Sequence, residues 1–191
     1  MQSSGSTRSR RRSGPLRLWV VLAGEDHPKA CTGRRLLHRG RVALATRGSS
    51  DGPGPVLLDP YAPTPLSLAD RDNAEKFGLL VLDCSWNRLS ARGAFPGEDG
   101  RTSRRGVRRR LPILVATNPQ HYGRVTQLTT AEAFAAALYV LGRESEAKRV
   151  LEGFPGADEF WEVNRTRLDR YRDSPGPSGI LAAEKELFAT V

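Results

Sequence analysis

Leu79-Leu80-Val81-Leu82-Asp83-Cys84-Ser85-Trp86 is the stretch on which the fold turns. Four consecutive aliphatic residues, entered through Gly78, predict a strand buried on both faces, the habit of parallel sheets. At its carboxyl end the apolar run gives way to a carboxylate, a thiol, a hydroxyl and an indole. In open α/β sheets ligands bind beyond that end of the strands. Trp86 presents a flat apolar surface and a single donor, which suits a purine or a sulfonium-bearing group. The same residues also describe a strand end capped by Asp with a core Trp behind it, and both readings stay open here.

Upstream, Leu16, Leu18, Val20 and Leu22 alternate with Trp19 and Val21, which predicts a first strand over 16–22. Thr32-Gly33 before Arg34-Arg35-Leu36-Leu37 has the form of a cap, a tight backbone and a basic helix whose free N–H groups face an anion or a ribose. Arg41–Leu44 and Val56–Pro60 are further short strands, and Ser67-Leu68-Ala69-Asp70 is a capping box that opens a helix through Lys76. Downstream, Leu111-Pro112-Ile113-Leu114-Val115-Ala116 reads as the next buried strand. Thr129 with Glu132 caps a helix whose Phe134, Ala137, Leu138 and Leu141 form one apolar face. A second helix covers Glu144–Leu151, and Asp158 caps a third that carries Trp161, Leu168 and Tyr171. A last helix runs from Ile180 to Phe188. The fold class is therefore α/β: an N-terminal lobe with a mostly parallel sheet over residues 16–123, and an α-helical lobe over 124–191.

The chain has 191 residues and a formal charge of +9, with 38% hydrophobic and 27% charged residues. That length is enough for a core needing neither disulfide nor metal. The excess charge is nearly all arginine, whose fork binds phosphate bidentately and stacks on bases, so the expected partner is nucleic acid. Arginines gather in a basic arm before Pro15, expected to be disordered, and in a basic insertion over 88–110 that contains Arg101, Arg104, Arg105, Arg108, Arg109 and Arg110. Those six, with Arg34 and Arg35, are the candidate RNA contacts. Cys31 and Cys84 have no ligand spacing, and the three histidines are scattered, so no metal site is expected and the setting is a reducing cytoplasm. No segment approaches the roughly 20 apolar residues that span a bilayer. A monomer is expected.

The ordered string Asp83-Cys84-Ser85-Trp86, Arg110-Leu111-Pro112-Ile113-Leu114-Val115-Ala116-Thr117-Asn118-Pro119, Tyr122-Gly123 and Leu128-Thr129-Thr130-Ala131-Glu132-Ala133 resembles the small-subunit (16S/18S) rRNA aminocarboxypropyltransferases. Cys31-Thr32-Gly33, Leu58-Asp59-Pro60, Leu66-Ser67, Ala69-Asp70 and Gly78-Leu79 fit the same family. The resemblance runs in unbroken order over about residues 16–172, departing at Thr117, at Gln120-His121 and in the arginine-rich insertion. It implies a SPOUT-like, knotted fold and S-adenosylmethionine as cofactor. The reaction it implies is transfer of the 3-amino-3-carboxypropyl group to N3 of a hypermodified (pseudo)uridine in small-subunit rRNA during ribosome biogenesis. Carried over by motif, Thr32 and Leu82 meet the ribose and methionine side. Leu111, Thr126 and Thr130 give backbone contacts around the adenosine, and Trp86 packs beside the methyl group. Asp83 either assists proton removal as a base or only orients the cofactor. The alternatives are a SPOUT-type rRNA methyltransferase and a non-catalytic RNA-binding assembly factor.

Overall fold

Residues 14–23, 31–45, 54–86 and 106–188 are described by the computed structural model. The basic arm before Gly14 and the residues Arg101, Arg104 and Arg105 lie outside them. Five strands, β1 (Leu18–Leu22), β2 (Ala43–Leu44), β3 (Val56–Leu58), β4 (Leu79–Asp83) and β5 (Val107–Arg109), form one sheet in the order β2-β1-β4-β3-β5. Every pairing is parallel. The quoted stretch is the centre of this sheet: Val81 of β4 lies between Val20 of β1 and Leu58 of β3. With neighbours on both sides and Leu79, Leu80 and Val81 all buried, its continuous apolar composition has its physical explanation.

The sheet's two faces are unequal. Val20, Val56, Leu58, Leu79 and Val81 join a core that continues through Leu36, Phe134, Phe160, Tyr171 and Ile180. The other face carries Leu57 and Leu80 with Trp19, Val21, Leu82 and Ala45 around them. Strand alternation puts Asp83 on the same side as Leu79 and Val81, under the helices. The sheet-forming and helical halves thus share one core.

The helices are α1 (Thr32–His38), α2 (Arg71–Phe77), α3 (Thr130–Val140), α4 (Glu144–Leu151), α5 (Ala157–Arg172) and α6 (Pro177–Phe188). α3 is central rather than amphipathic, because Ala133 alone among its residues escapes full burial. Its alanines let neighbouring helices approach from all sides, so the single apolar face expected from Phe134, Ala137, Leu138 and Leu141 underestimates its burial. α5 begins two residues earlier than the Asp158 cap predicts: Gly156, in the left-handed region at φ 78°, is the N-cap and Asp158 sits in the first turn. Gly78 is held to glycine twice over, by φ 88° and by Arg17 O, which a Cβ would meet at 2.4 Å. This tight passage from α2 into β4 fixes where the central strand begins.

Two expectations fail together. The stretch Leu111–Ala116 is not a sheet strand, and the sheet is completed instead by Val107–Arg109, from the end of the arginine-rich segment. The 111–116 stretch is extended and inside, with Leu114 and Ala116 fully buried. However, Pro112 has no N–H, and its neighbours' polar groups are met by side chains. Glu184 of α6 accepts from Ile113 N at 3.0 Å and Tyr171 donates to Ile113 O at 3.0 Å. Asn164 accepts from Val115 N and donates to Val115 O, each at 2.9 Å. On its other edge Leu114 O accepts from Thr126 N at 2.8 Å, and Ala116 exchanges bonds with Gly123 and Arg124. Helix side chains have replaced one neighbouring strand.

Asn164 is fully buried, so Asn164→Ala removes the side-chain partner from both backbone groups of the part-buried Val115. The expected loss of stability is about 2–4 kcal/mol, from roughly 1–3 kcal/mol per unpaired buried group. Urea unfolding monitored by circular dichroism measures it.

Candidate functional site

A cavity of about 730 Å³ opens where β3 and β4 end. One wall is the strand-end residues Leu58–Pro60 and Val81–Trp86, and another is the extended stretch Arg110–Ile113. Thr32 at the start of α1, the loop through Gln120, His121, Arg124, Thr126 and Leu128, and the opening turn of α3 close the rest. The position is the one that parallel-sheet geometry predicts. Every expected cofactor residue faces this one cavity: Thr32, Leu82, Trp86, Leu111, Thr126 and Thr130, with Asp83 among them.

Asp83 organises the floor. Its side chain, 8% exposed, accepts from the Thr130 hydroxyl, from the Cys31 thiol at 2.6 Å and from Gly33 N at 3.3 Å. A Cβ on residue 33 would stand 2.7 Å from Asp83 Oδ2, so glycine is what lets the first turn of α1 come down on the carboxylate. The cap of α1 is Cys31, not Thr32: the thiol sulfur accepts from Arg34 N at 3.4 Å while its hydrogen goes to Asp83. Burial and the bond to Asp83 raise the Cys31 pKa from about 9 to about 11, so the sulfur stays a donor at neutral pH.

Glu132 does for the loop what Asp83 does for the floor. Fully enclosed in α3, it accepts from the Thr117 and Asn118 backbones at 2.9 and 3.1 Å, and from Thr129 N at 2.7 Å. The Thr117 and Thr129 hydroxyls and the Asn118 amide also donate to it. The capping box legible at Thr129-x-x-Glu132 therefore also anchors the segment that leaves the extended stretch. The sequence showed the cap but not this second duty, because the partners come from residues fourteen and fifteen positions upstream.

Trp86 is clamped as well. Its Nε1 donates to Leu128 O at 2.9 Å, so the indole offers the cavity an apolar ring and no free N–H. Thr126 is held at φ 66°, a left-handed conformation that costs a β-branched residue on the order of 1–3 kcal/mol. Its N–H bond to Leu114 O holds it there. No composition signal marks that strain.

The candidate RNA contacts divide. Arg34 and Arg35 lie on α1, and Arg35 stacks over the Phe154 ring at 4.7 Å. Arg108, Arg109 and Arg110 are tied to carboxylates of the chain itself. Arg108 meets Asp59 at 3.4 Å, Arg109 meets Asp70 at 2.9 Å, and Arg110 makes a two-pronged pair with Glu184 at 2.7 Å on each arm. These pairings lock the edge strand β5 to the fold, and of the three only Arg108, at 40%, keeps much of its side chain in solvent. Among the described residues no group of three or more His, Cys, Asp or Glu is placed to hold a metal. No helix among them is long and apolar enough to cross a membrane.

The lining combines apolar surface from Leu82, Leu111, Ile113, Leu128 and the Trp86 ring with the charged side chains of Asp59 and Arg110, a mixture suited to a small ligand that has both an apolar and a charged part.

Because the Cys31 thiol loses its proton at about pH 9 when unfolded and about pH 11 when folded, the folded state binds more protons across that window. Its contribution to stability is complete below pH 9 and is lost as pH rises toward 11. Cys31→Ala is expected to flatten that decline, read as the difference between wild-type and variant unfolding at pH 8 and pH 10.5. Alkylation at pH 8 should find Cys84, which lines the cavity, well before Cys31.

Residues 56–188 match the family described as "Ribosome biogenesis protein, C-terminal". A 16S rRNA aminocarboxypropyltransferase of Methanopyrus kandleri is 40% identical over 171 residues, 88% of this chain and 97% of that protein. An 18S rRNA aminocarboxypropyltransferase of Schizosaccharomyces pombe is 34% identical, across 95% of this chain and 60% of its own length. The structure of the SAM-dependent rRNA:acp-transferase from Vulcanisaeta distributa superposes with a TM-score of 0.77 at 35% identity, covering 91% of this chain and 89% of that one. With parallel sheet, strand-end cavity and sequence in agreement, the chain belongs to the rRNA aminocarboxypropyltransferase family.

Proposed function

We propose that this chain transfers the 3-amino-3-carboxypropyl group of S-adenosylmethionine to N3 of a hypermodified (pseudo)uridine in small-subunit rRNA, as a step of ribosome biogenesis. The observation that carries the reading is the gathering of Thr32, Leu82, Trp86, Leu111, Thr126 and Thr130 around one cavity at the carboxyl ends of a parallel sheet. A SPOUT-like, knotted path for the chain belongs to the same reading.

When bound, the cofactor supplies a sulfonium with three electrophilic carbons. This chain's residues decide which of them is reachable, since transfer requires one to lie in line with the nucleophile at near-attack distance. Trp86, fixed through Leu128 O, is a rigid wall that would stand against the methyl of a bound cofactor and so favour reaction at the side-chain carbon. Leu82, Leu111 and Leu128 keep water from the reacting centre. The backbones of Leu111, Thr126 and Thr130 read the adenosine, and the strain at Thr126 holds one of these groups in place. Asp83, with its oxygens engaged by Thr130, Cys31 and Gly33, is assigned to orienting α1 and α3 about the cofactor and not to removing the uridine proton. Phosphate contacts are assigned to Arg34, Arg35, Arg101, Arg104 and Arg105.

Incubation of small subunits with carboxyl-labelled and methyl-labelled S-adenosylmethionine tests the reaction. Label from the carboxyl-labelled cofactor alone is expected in the rRNA. Methyl label overturns transfer of the larger group, and neither label favours an assembly factor. Trp86→Ala should weaken cofactor binding by about 1–3 kcal/mol, the loss of a buried aromatic contact, as read by calorimetry. Asp83→Asn should lower thermal stability and cofactor affinity together. A fall in kcat with both unchanged would instead make Asp83 the base.

A further inference from the structure

Tyr122 stands on the loop that forms one side of the cavity, between the two wall residues His121 and Arg124, and is 65% exposed. A single exposed aromatic is ordinary on a protein surface. This one differs in what holds it. The loop is over-determined: His121 N donates to Asn118 Oδ1 at 3.0 Å, Gly123 N to Ala116 O at 2.9 Å and Arg124 N to His121 O at 2.9 Å. Asn118 is itself buried and bonded to Glu132, so the loop is fastened to the first turn of α3. Gly123 at φ 77° makes the turn that follows the tyrosine. The ring is consequently presented to solvent on a rigid base, and its hydroxyl has no hydrogen bond among the described residues.

The flanking chemistry matches. Arg124 is exposed, its guanidinium steadied by Gln127 Oε1 at 3.1 Å, and His121 Nδ1 meets the same oxygen at 3.2 Å. On the strand-end side, Tyr61 follows the wall residue Pro60 and is 45% exposed. An exposed aromatic ring and an exposed, anchored guanidinium two residues apart, on a loop that lines a cavity, are the pair of groups that hold an unstacked base and its phosphate.

We infer that Tyr122 is the stacking platform for a single-stranded nucleotide of the RNA acceptor, with Arg124 on its phosphate, so that the enzyme engages a loop and not a duplex. The inference rests on the RNA-acceptor reading above. Tyr122 acts before the chemical step by delivering the acceptor to the mouth. Its role is sequence-tolerant, because every base has a π-face.

The test uses full-length protein and a synthetic stem–loop RNA with a uridine-containing loop, alongside the same stem as a blunt duplex. Wild-type protein is expected to prefer the stem–loop. Tyr122→Ala should weaken stem–loop binding by about 5- to 100-fold, the range set by base–aromatic stacking. Tyr122→Phe and Tyr122→Trp should stay near wild type, since the ring and not the hydroxyl is used. The salt dependence should be unchanged in Tyr122→Ala and reduced in Arg124→Ala, which removes a phosphate contact. Cofactor affinity by calorimetry should not move in the Tyr122 variants. Stem–loop affinity unchanged in Tyr122→Ala overturns the inference. So does a Phe variant as weak as Ala, or a wild type that binds duplex as tightly as loop. Failure of the group-transfer reading shows separately, as methyl or no label in RNA that the wild type binds.

Discussion

A carboxylate that ends a buried strand must be compensated where it stands, and the geometry of this site follows from how that is done for Asp83. Water is replaced by three donors, and those donors come from two different helices: Cys31 and Gly33 at the start of α1, and Thr130 at the start of α3. One side chain thus brings three walls of the cavity to a common point. Burying an ionised group unpaired is far more costly than the hydrogen bonds recover, so the arrangement is all or nothing. Glu132 repeats the device on the opposite side, where it gathers Thr117, Asn118 and Thr129. Between them, two enclosed carboxylates leave the intervening loop little freedom, and on that loop stand the strained Thr126 and the exposed Tyr122.

The arginine surplus has two meanings in this molecule. Arg109 and Arg110 are joined to Asp70 and Glu184, and Arg39 and Arg41 donate to the carbonyls at and just beyond the end of α4. Arg39 and Arg35 also lie over the Phe154 ring, at 4.5 and 4.7 Å. These guanidiniums serve as connectors, with planar donors that bridge several acceptors at once. Composition counts them together with arginines that face solvent, and so overstates the surface open to phosphate. The paired ones are told apart only by where Asp59, Asp70 and Glu184 fall in space.

What was legible in sequence is what local chemistry encodes. The aliphatic run at Leu79–Leu82, the box at Thr129/Glu132 and the glycine at residue 78 each point to a single local conformation, and each is found; at Ser67 only half of the expected box forms, with Ser67 N donating to Asp70 at 3.1 Å and a 3-10 turn over Leu68–Asp70 preceding α2. The cavity at the strand end followed from the parallel-sheet rule. What could not be read is long-range. Leu111–Ala116 has the composition of a strand, but its partners are Asn164, Tyr171 and Glu184, and nothing at residue 113 announces a glutamate 71 positions later. Val107–Arg109 has two charges in three residues and resembles a loop until Asp59 and Asp70 are placed beside it. The cap at Cys31 escaped because a thiol is an uncommon capping group, chosen here for a hydrogen that also reaches Asp83.

The grip of α5 and α6 on the extended stretch also orders events in time. Leu111 and Ile113 form part of the cavity wall, yet the groups that hold Arg110–Val115 in line, at residues 164, 171 and 184, are synthesised some fifty to seventy positions later. While a ribosome is still making this protein, the sheet and α3 can pack, but the wall formed by Arg110–Val115 has no partner along one edge. The enzyme is therefore assembled from the back of its site forward. A nascent chain stalled before residue 164 carries the strand-end floor of the cavity without the supports of its wall, the last of which, Glu184, lies on the final helix.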